Sequence, residues 1–232
     1  FEQAHAFFSA AIEDGLDLGS VYFKRGLCNI ENQQWQWACN DFTVATERAD
    51  TVEQLMSLDQ TLGQPSHDSC YLSMSYIKRA HALAQLGKIE AAVADIKRVP
   101  SLSENLGAEF YYVRGLIHYM TKNLDGSIQD LKMAEKIGIR QGDDFYHLYG
   151  KAALDLRNYD LAIEKLTQSL EFNSHQNITR RELAIALSLK GQNSMAIEVL
   201  GTNLIRNQDM AMVYFDLGYF HQHQPKSPQG EH

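Results

Sequence analysis

The chain has 232 residues, 44% of them hydrophobic, with a formal net charge of −8. That charge argues against a general nucleic-acid or anionic-membrane binder, since both need clustered Lys and Arg, and the apolar content is enough for a continuous core. No run of about 18 apolar residues exists, so no membrane insertion is expected.

Three cysteines (Cys28, Cys39 and Cys70) are odd in number and lack CxxC spacing. They argue against a disulfide framework and for a reducing, cytoplasmic setting. The sequence opens on Phe1, so a missing leader carries no information. Asn177-Ile178-Thr179 is a lone glycosylation sequon of little weight.

In chain order, 1–15 has Ala4, Phe8 and Ala11 at helical spacing, and Ala38, Phe42 and Ala45 repeat that spacing one period later. The chain therefore reads as opening on the second helix of a repeat, as a fragment of a longer array would. Residues 19–49 hold a first complete pair, with Tyr22, Gly26 and Ile30, then Trp35, Ala38, Phe42 and Ala45. The period breaks next, because Gly26 and its equivalent Ala80 stand more than one and a half periods apart. The surplus, about 50–72, reads as several extra helical turns stopped at Gly63-Gln64-Pro65-Ser66.

Residues 73–106 hold Tyr76, Ala80, Leu83, Gly87, Ala92 and Ile96. Pro100 should shorten that second helix, and Ser101-x-x-Glu104 reads as a capping box for the next. Residues 108–141, 143–176 and 177–210 repeat the pattern, the middle one with a tight turn at Arg157-Asn158. A last first-type helix spans 211–223, and 224–232 has no apolar pattern and is expected to be a disordered tail. The prediction is a single array over 1–223 at a period of about 34 residues.

Two sites recur with small residues throughout. Gly26, Ala80, Gly115, Gly150, Ala184 and Gly218 hold one; Ala4, Ala38, Ala92, Ser127, Ala162 and Ala196 hold the other. Antiparallel helices pack closely only where side chains are small, so these mark crossing points. With Tyr22, Tyr76, Tyr111, Tyr146 and Tyr214 at an aromatic site, the pattern resembles the tetratricopeptide repeat. The departures are Arg180 at the aromatic site of one repeat and the lack of a closing Pro. The resemblance implies an all-α fold, a right-handed superhelical α-solenoid of antiparallel helix pairs.

Arg25 and Asp41, Arg79 and Asp95, and Arg114 and Asp130 share one separation in the sequence, just under half a period. This places one on each helix of a pair and predicts partly buried ion pairs rather than functional charges. Cys28 and Cys39 fall at registers otherwise filled by Ala, Val or Ile and read as inert core thiols, and His118 reads as an interior histidine. Asp143-Asp144 at a helix start reads as capping. His221 and His223 point to different helix faces and suit a metal poorly.

No nucleotide-binding, zinc-protease or nucleophile-elbow motif is present, so no enzyme activity, cofactor or metal is expected. The resemblance implies instead a protein–protein interaction scaffold that binds a partner peptide or helix along the concave face of the first helices. The candidate contact residues are Phe23, Lys24, Leu27, Ile77, Lys78, His81, Tyr112, Leu116, Tyr119, His147 and Lys151. Apolar and aromatic groups interleaved with Lys fit an amphipathic or acidic-hydrophobic segment. The residues needed to clamp a chaperone's C-terminal carboxylate are absent from these registers. An alternative is the repeat arm of a larger enzyme that recruits substrates or regulates a catalytic domain elsewhere. A third reading is self-association through Phe1, Phe7 and Phe8.

Overall fold

In a computed structural model the helical spacing of apolar residues is realised, among the described residues, as eleven helices. The described residues are 1–56, 68–102, 106–139, 142–204, 215, 218 and 219. The helices are α1 (Glu2–Glu13), α2 (Gly19–Glu31), α3 (Trp35–Met56), α4 (Asp68–Gln85), α5 (Ile89–Leu102) and α6 (Ala108–Met120). Then come α7 (Leu124–Ile137), α8 (Asp143–Asp155), α9 (Tyr159–Phe172), α10 (Asn177–Leu189) and α11 (Asn193–Leu204). Among the described residues there is no strand. The final helix 211–223 and the tail lie almost wholly outside those residues.

A recurring left-handed turn joins the two helices of each pair. Gln33, Gly87, Lys122, Arg157 and Gly191 have φ of 56°, 73°, 63°, 63° and 86°. The residue after each donates its N–H back into the helix just ended, as in Asn158 N to the Ala153 carbonyl at 2.9 Å and Gln192 N to the Leu187 carbonyl at 2.8 Å. This bond satisfies a carbonyl that the helix end would otherwise leave open.

The chain divides into two compact units. The first comprises Phe1–Asn123 with Lys132–Ile139, and the second Leu124–Leu131 with Arg140–His232. In the first unit, successive helices α1 to α6 pack in order, and the first-type helices also touch, α2 with α4 and α4 with α6. A core forms around Ala38, Cys39, Phe42 and Ala82, with Phe23, Leu27, Ile30, Trp35, Leu83 and Leu86 packed against it. A Cβ on Gly26 would lie 2.8 Å from the Phe42 ring, so this crossing excludes a larger residue without movement.

Two Arg–Asp pairs in this unit are seen directly. Arg25 Nη2 donates to Asp41 Oδ1 at 2.6 Å and its Nε to Oδ2 at 3.0 Å. Asn29 Nδ2 donates to the same carboxylate at 2.8 Å. Arg79 donates to Asp95 through Nε and Nη2, both at 2.7 Å, and through Nη1 to Thr46 Oγ1 at 3.1 Å. Arg114 lies over the rings of Phe110 and Tyr111 at 4.8 and 5.2 Å.

α3 is 22 residues long against 14 for α5. The stop expected at Gly63–Ser66 lies outside the described residues. The expectation that Pro100 shortens α5 is corrected: the helix runs through Pro100 to Leu102 and matches the 14 residues of α7. Pro100 sits in the last turn, where its missing N–H and its ring disturb only the one bond to Ile96. Val99 before it is 1% exposed and held by the core. Ser101 does not open a new helix; its Oγ donates back to the Arg98 carbonyl at 2.6 Å.

In the second unit, α8 packs on α9, α9 on α10, α10 on α11, and the first-type helices α8 and α10 touch. The core is Ala153, Ala162, Leu166, Leu183, Ala184, Ala186, Leu187, Ala196 and Leu200. A Cβ on Gly150 would lie 2.6 Å from Leu166 Cγ and 2.9 Å from its backbone N. Where the first unit has Arg–Asp, this one has Lys165, whose Nζ lies 5.1 Å from the Tyr149 ring and 5.5 Å from Tyr146. Arg180 at the aromatic site is buried, and its guanidinium donates to the Ser174 carbonyl.

The capping role expected of Asp143 and Asp144 is also corrected. The N-cap of α8 is Gly142, with no side-chain cap bond. Asp143 Oδ2 instead accepts from Asn173 Nδ2 at 2.8 Å and Gln176 Nε2 at 2.7 Å. It thereby ties the start of α8 to the α9–α10 connection. Asp144 is exposed, and partial desolvation with the charge of Asp143 beside it pushes its pKa up.

Candidate binding faces

The contact of first-type helices in each unit builds a continuous face from their side chains. In the first unit this face comprises α2, α4 and α6. Lys24 on α2 is exposed, whereas Phe23 and Leu27 pack on the core, with Phe23 tilted against Phe42 at 5.6 Å between centroids. On α4, Ile77 is 3% exposed and Leu116 on α6 is 9% exposed, so both serve packing. Lys78 is half-buried, and its Nζ donates to Glu109 Oε1 at 2.7 Å, joining α4 to α6.

His81 is the centre of the face. Its ring lies 5.7 Å from Trp35 and 5.7 Å from Tyr112, tilted against one and edge-on to the other. Burial pushes its pKa down to about 4, with Lys78 adding to the fall and Glu109 opposing it. The imidazole is therefore neutral at physiological pH, and Trp35, His81 and Tyr112 form an uncharged, half-buried aromatic row. Tyr119 extends it, with Lys122 Nζ 5.4 Å from its ring centre.

In the second unit the face comprises α8 and α10. His147 Nε2 lies 2.7 Å from Glu182 Oε2, and Lys151 Nζ 3.2 Å from Glu182 Oε1. Burial raises the pKa of Glu182, but the His147 hydrogen bond and the charges of His147 and Lys151 outweigh it and hold the carboxyl below its ordinary value. Leu148 on α8 is buried.

The structure thus separates the predicted contact residues into three groups. Phe23, Leu27, Ile77 and Leu116 are packed into the units; Lys78, His147 and Lys151 are paired with carboxylates; Lys24 is exposed, and His81, Tyr112 and Tyr119 are half-buried. Sequence reasoning missed Trp35, which belongs to a second-type helix well before His81 in the chain. It also missed Glu109 and Glu182 as partners, although each follows its Lys by the same separation, a little less than one period.

Little else offers chemistry. Cys28 and Cys39 are free and buried. Burial pushes the Cys39 thiol up to about 11, which leaves it protonated and unreactive. Among the described residues no three His, Cys, Asp or Glu are grouped to hold a metal, and no helix is long and apolar enough to cross a membrane.

Comparison with known proteins agrees with this architecture. Residues 77–143 match the family model for the tetratricopeptide repeat. A chain of the APC/C hetero-tetramer Cut9–Hcn1 is similar in structure at 16% identity and a TM-score of 0.73. The match covers 94% of this chain but spans only 39% of that one. YrrB, a TPR protein with an unusual peptide-binding site, matches at 12% identity and a TM-score of 0.57, over 90% of this chain and 96% of its own. A thermophilic TPR protein of Thermus thermophilus matches at 14% identity and a TM-score of 0.54, over 88% of this chain and 99% of its own. No curated protein matches by sequence.

Proposed function

We propose that this chain, whose residues 77–143 match the tetratricopeptide repeat, is a protein–protein interaction scaffold that takes a partner segment on its first-type helices. The observation that carries the reading is the half-buried His81–Tyr112 ring contact that joins α4 to α6, backed by Trp35 of α3, on a face whose α2 carries the exposed Lys24. Partly exposed aromatic surface edged by charge is the composition of protein interfaces, and aromatic anchors dominate their energetics.

The ion pairs sharpen the class of segment. Lys78 is matched by Glu109, and His147 and Lys151 by Glu182, so these cations already have carboxylates. The segment that fits is amphipathic, with an apolar or aromatic anchor on the aromatic row, and any acid it carries falls beside Lys24. Free Cys28 and Cys39 fit a reducing compartment such as the cytoplasm.

The test is capture of partners by the chain, read by mass spectrometry, against a Tyr112→Ala/Lys24→Glu variant whose helicity matches the parent by circular dichroism. Proteins captured by the parent and lost from the variant support the reading. An unchanged set of captured proteins overturns it.

A further inference from the structure

The helix pair α10–α11 lacks the buried cation that the other pairs carry. The registers that hold Arg79, Asp95 and Thr46 in the first unit hold Leu183, Val199 and Leu170 in the second. Arg79 spans from its own helix to Asp95 at 2.7 Å on one side and to Thr46 of the preceding second-type helix at 3.1 Å on the other. A leucine is too short to make that span, and here all three polar registers have turned apolar together. A cavity of about 350 Å³ stands among them, lined by Leu170 of α9, Arg180 and Leu183 of α10, and Met195, Glu198 and Val199 of α11.

The lining defines what fits. Exposure rises from Leu183 at 5%, through the half-buried Leu170 and Val199, to Met195 at 51%, so the cavity opens to solvent along an apolar wall. Its volume lies at the lower end of the range for ligand sites, about 300–1,000 Å³, and suits one large side chain with its neighbour. Met195 at the opening favours an aromatic group, because a thioether packs well against a ring edge. The charge around the opening is acid. Glu198 lines it and is exposed, Glu164 and Glu171 are exposed on α9, and neither α9 nor α11 carries an exposed Lys or Arg. The Arg180 guanidinium is buried and donates to the Ser174 carbonyl in the α9–α10 connection. Basic groups beside the aromatic anchor are therefore complementary, whereas a second copy of a chain with net charge −8 is not.

We propose that this cavity takes an aromatic side chain of another polypeptide, from a segment with Lys or Arg beside it. The probe is a phage-displayed library of random short peptides, panned on the whole chain. It is depleted on a Leu170→Thr/Leu183→Arg/Val199→Asp variant, which rebuilds in the cavity the polar set of Thr46, Arg79 and Asp95. The peptides that remain are expected to carry Phe, Tyr or Trp flanked by Lys or Arg. Their binding, read by fluorescence anisotropy, should saturate below about 100 µM and weaken at least about tenfold with Met195→Glu. Met195 is exposed, so Met195→Glu keeps the fold, checked by circular dichroism, and it replaces the triple variant in the depletion if that variant does not fold. A Tyr112→Ala protein binds these peptides as the parent does, which separates the cavity from the aromatic row of the first unit. Three results overturn the proposal. They are no peptide left after depletion, remaining peptides that are acidic or lack an aromatic residue, or equal binding to the parent and to Met195→Glu.

Discussion

The two units solve one packing problem with different chemistry. Where a first-type helix meets its second-type partner, the first unit places Arg79 against Asp95 at 2.7 Å, and the second places Lys165 over Tyr149 at 5.1 Å. Both cations are largely buried. The Arg is held by a fixed carboxylate fork, while the Lys rests on ring faces and reaches Glu164 at 3.0 Å. The difference teaches that the buried cation can come from either helix of the pair, Arg79 from the first and Lys165 from the second, and that its partner decides how much depends on it.

The largest expected effect follows directly. Asp95→Ala leaves the Arg79 guanidinium half-buried without its carboxylate, and the cost is about 3 kcal/mol. Lys165→Met keeps the volume, removes the charge and leaves the tyrosine rings packed, so its cost is about 1 kcal/mol or less. Urea unfolding of the two variants decides the matter. Equal losses would show that the register contributes through volume, not through the ion pair.

The glycines give the next contrast. At Gly26 an added methyl meets the far edge of the Phe42 ring at 2.8 Å, which can swing. At Gly150 it meets Leu166 Cγ at 2.6 Å and a backbone N at 2.9 Å, which cannot. Gly150→Ala is expected to cost about 2 kcal/mol and Gly26→Ala about half that, within the range for overpacked cores. A Gly150→Ala protein melting at the parent's temperature would show that α9 shifts freely, against this account.

These contrasts also show what was legible in the sequence. The small residues and the Arg–Asp spacing recur at fixed registers, the single Tyr149/Lys165 exchange falls on the same registers, and one register means one place in the packing. The turn at Arg157-Asn158 was legible for the same reason. Single-copy features were not. Pro100 reads locally as a stop, but the buried Val99 and the position in the last turn outweigh it. Asp143 reads as a cap, but Asn173 and Gln176 lie beyond two intervening helices in the chain, and only the packed connection brings them near. Among the contact residues, the register told which helix face each occupies. It did not tell which were already used, because Glu109, Glu182 and Trp35 come from other helices.

Acidification separates the two faces further. His81 is pushed down to about 4 from an ordinary value of 6.5. The unfolded chain therefore binds the proton first, and stability complete above pH 6.5 is lost as pH falls towards 4. The loss is about 1 to 2 kcal/mol, since one pKa unit is about 1.4 kcal/mol before solvent screening. Glu182 is held below 4.5, so its contribution is complete above that pH and lost only as pH falls below it. Stability followed from pH 7 to 5 should fall in the parent and flatten in His81→Phe. A Glu182→Gln variant should keep the parent's slope in that window. A slope unchanged by His81→Phe would place the titrating group elsewhere.

Pro100→Ala should have the smallest effect, and it tests how α5 tolerates its proline. A proline in a helix interior costs about 3 kcal/mol through the lost bond and the ring clash. In the last turn only the bond to Ile96 is at stake, and a solvent-exposed helix end can satisfy that carbonyl with water. Alanine restores the bond but gives the unfolded chain more freedom, which offsets about 0.4 to 1 kcal/mol. The two terms nearly cancel, so thermal unfolding should move by no more than a few degrees in either direction. A gain of about 3 kcal/mol would mean that Pro100 strains α5 over its length, and that the helix persists to Leu102 because Val99 and Ile96 are held by the core.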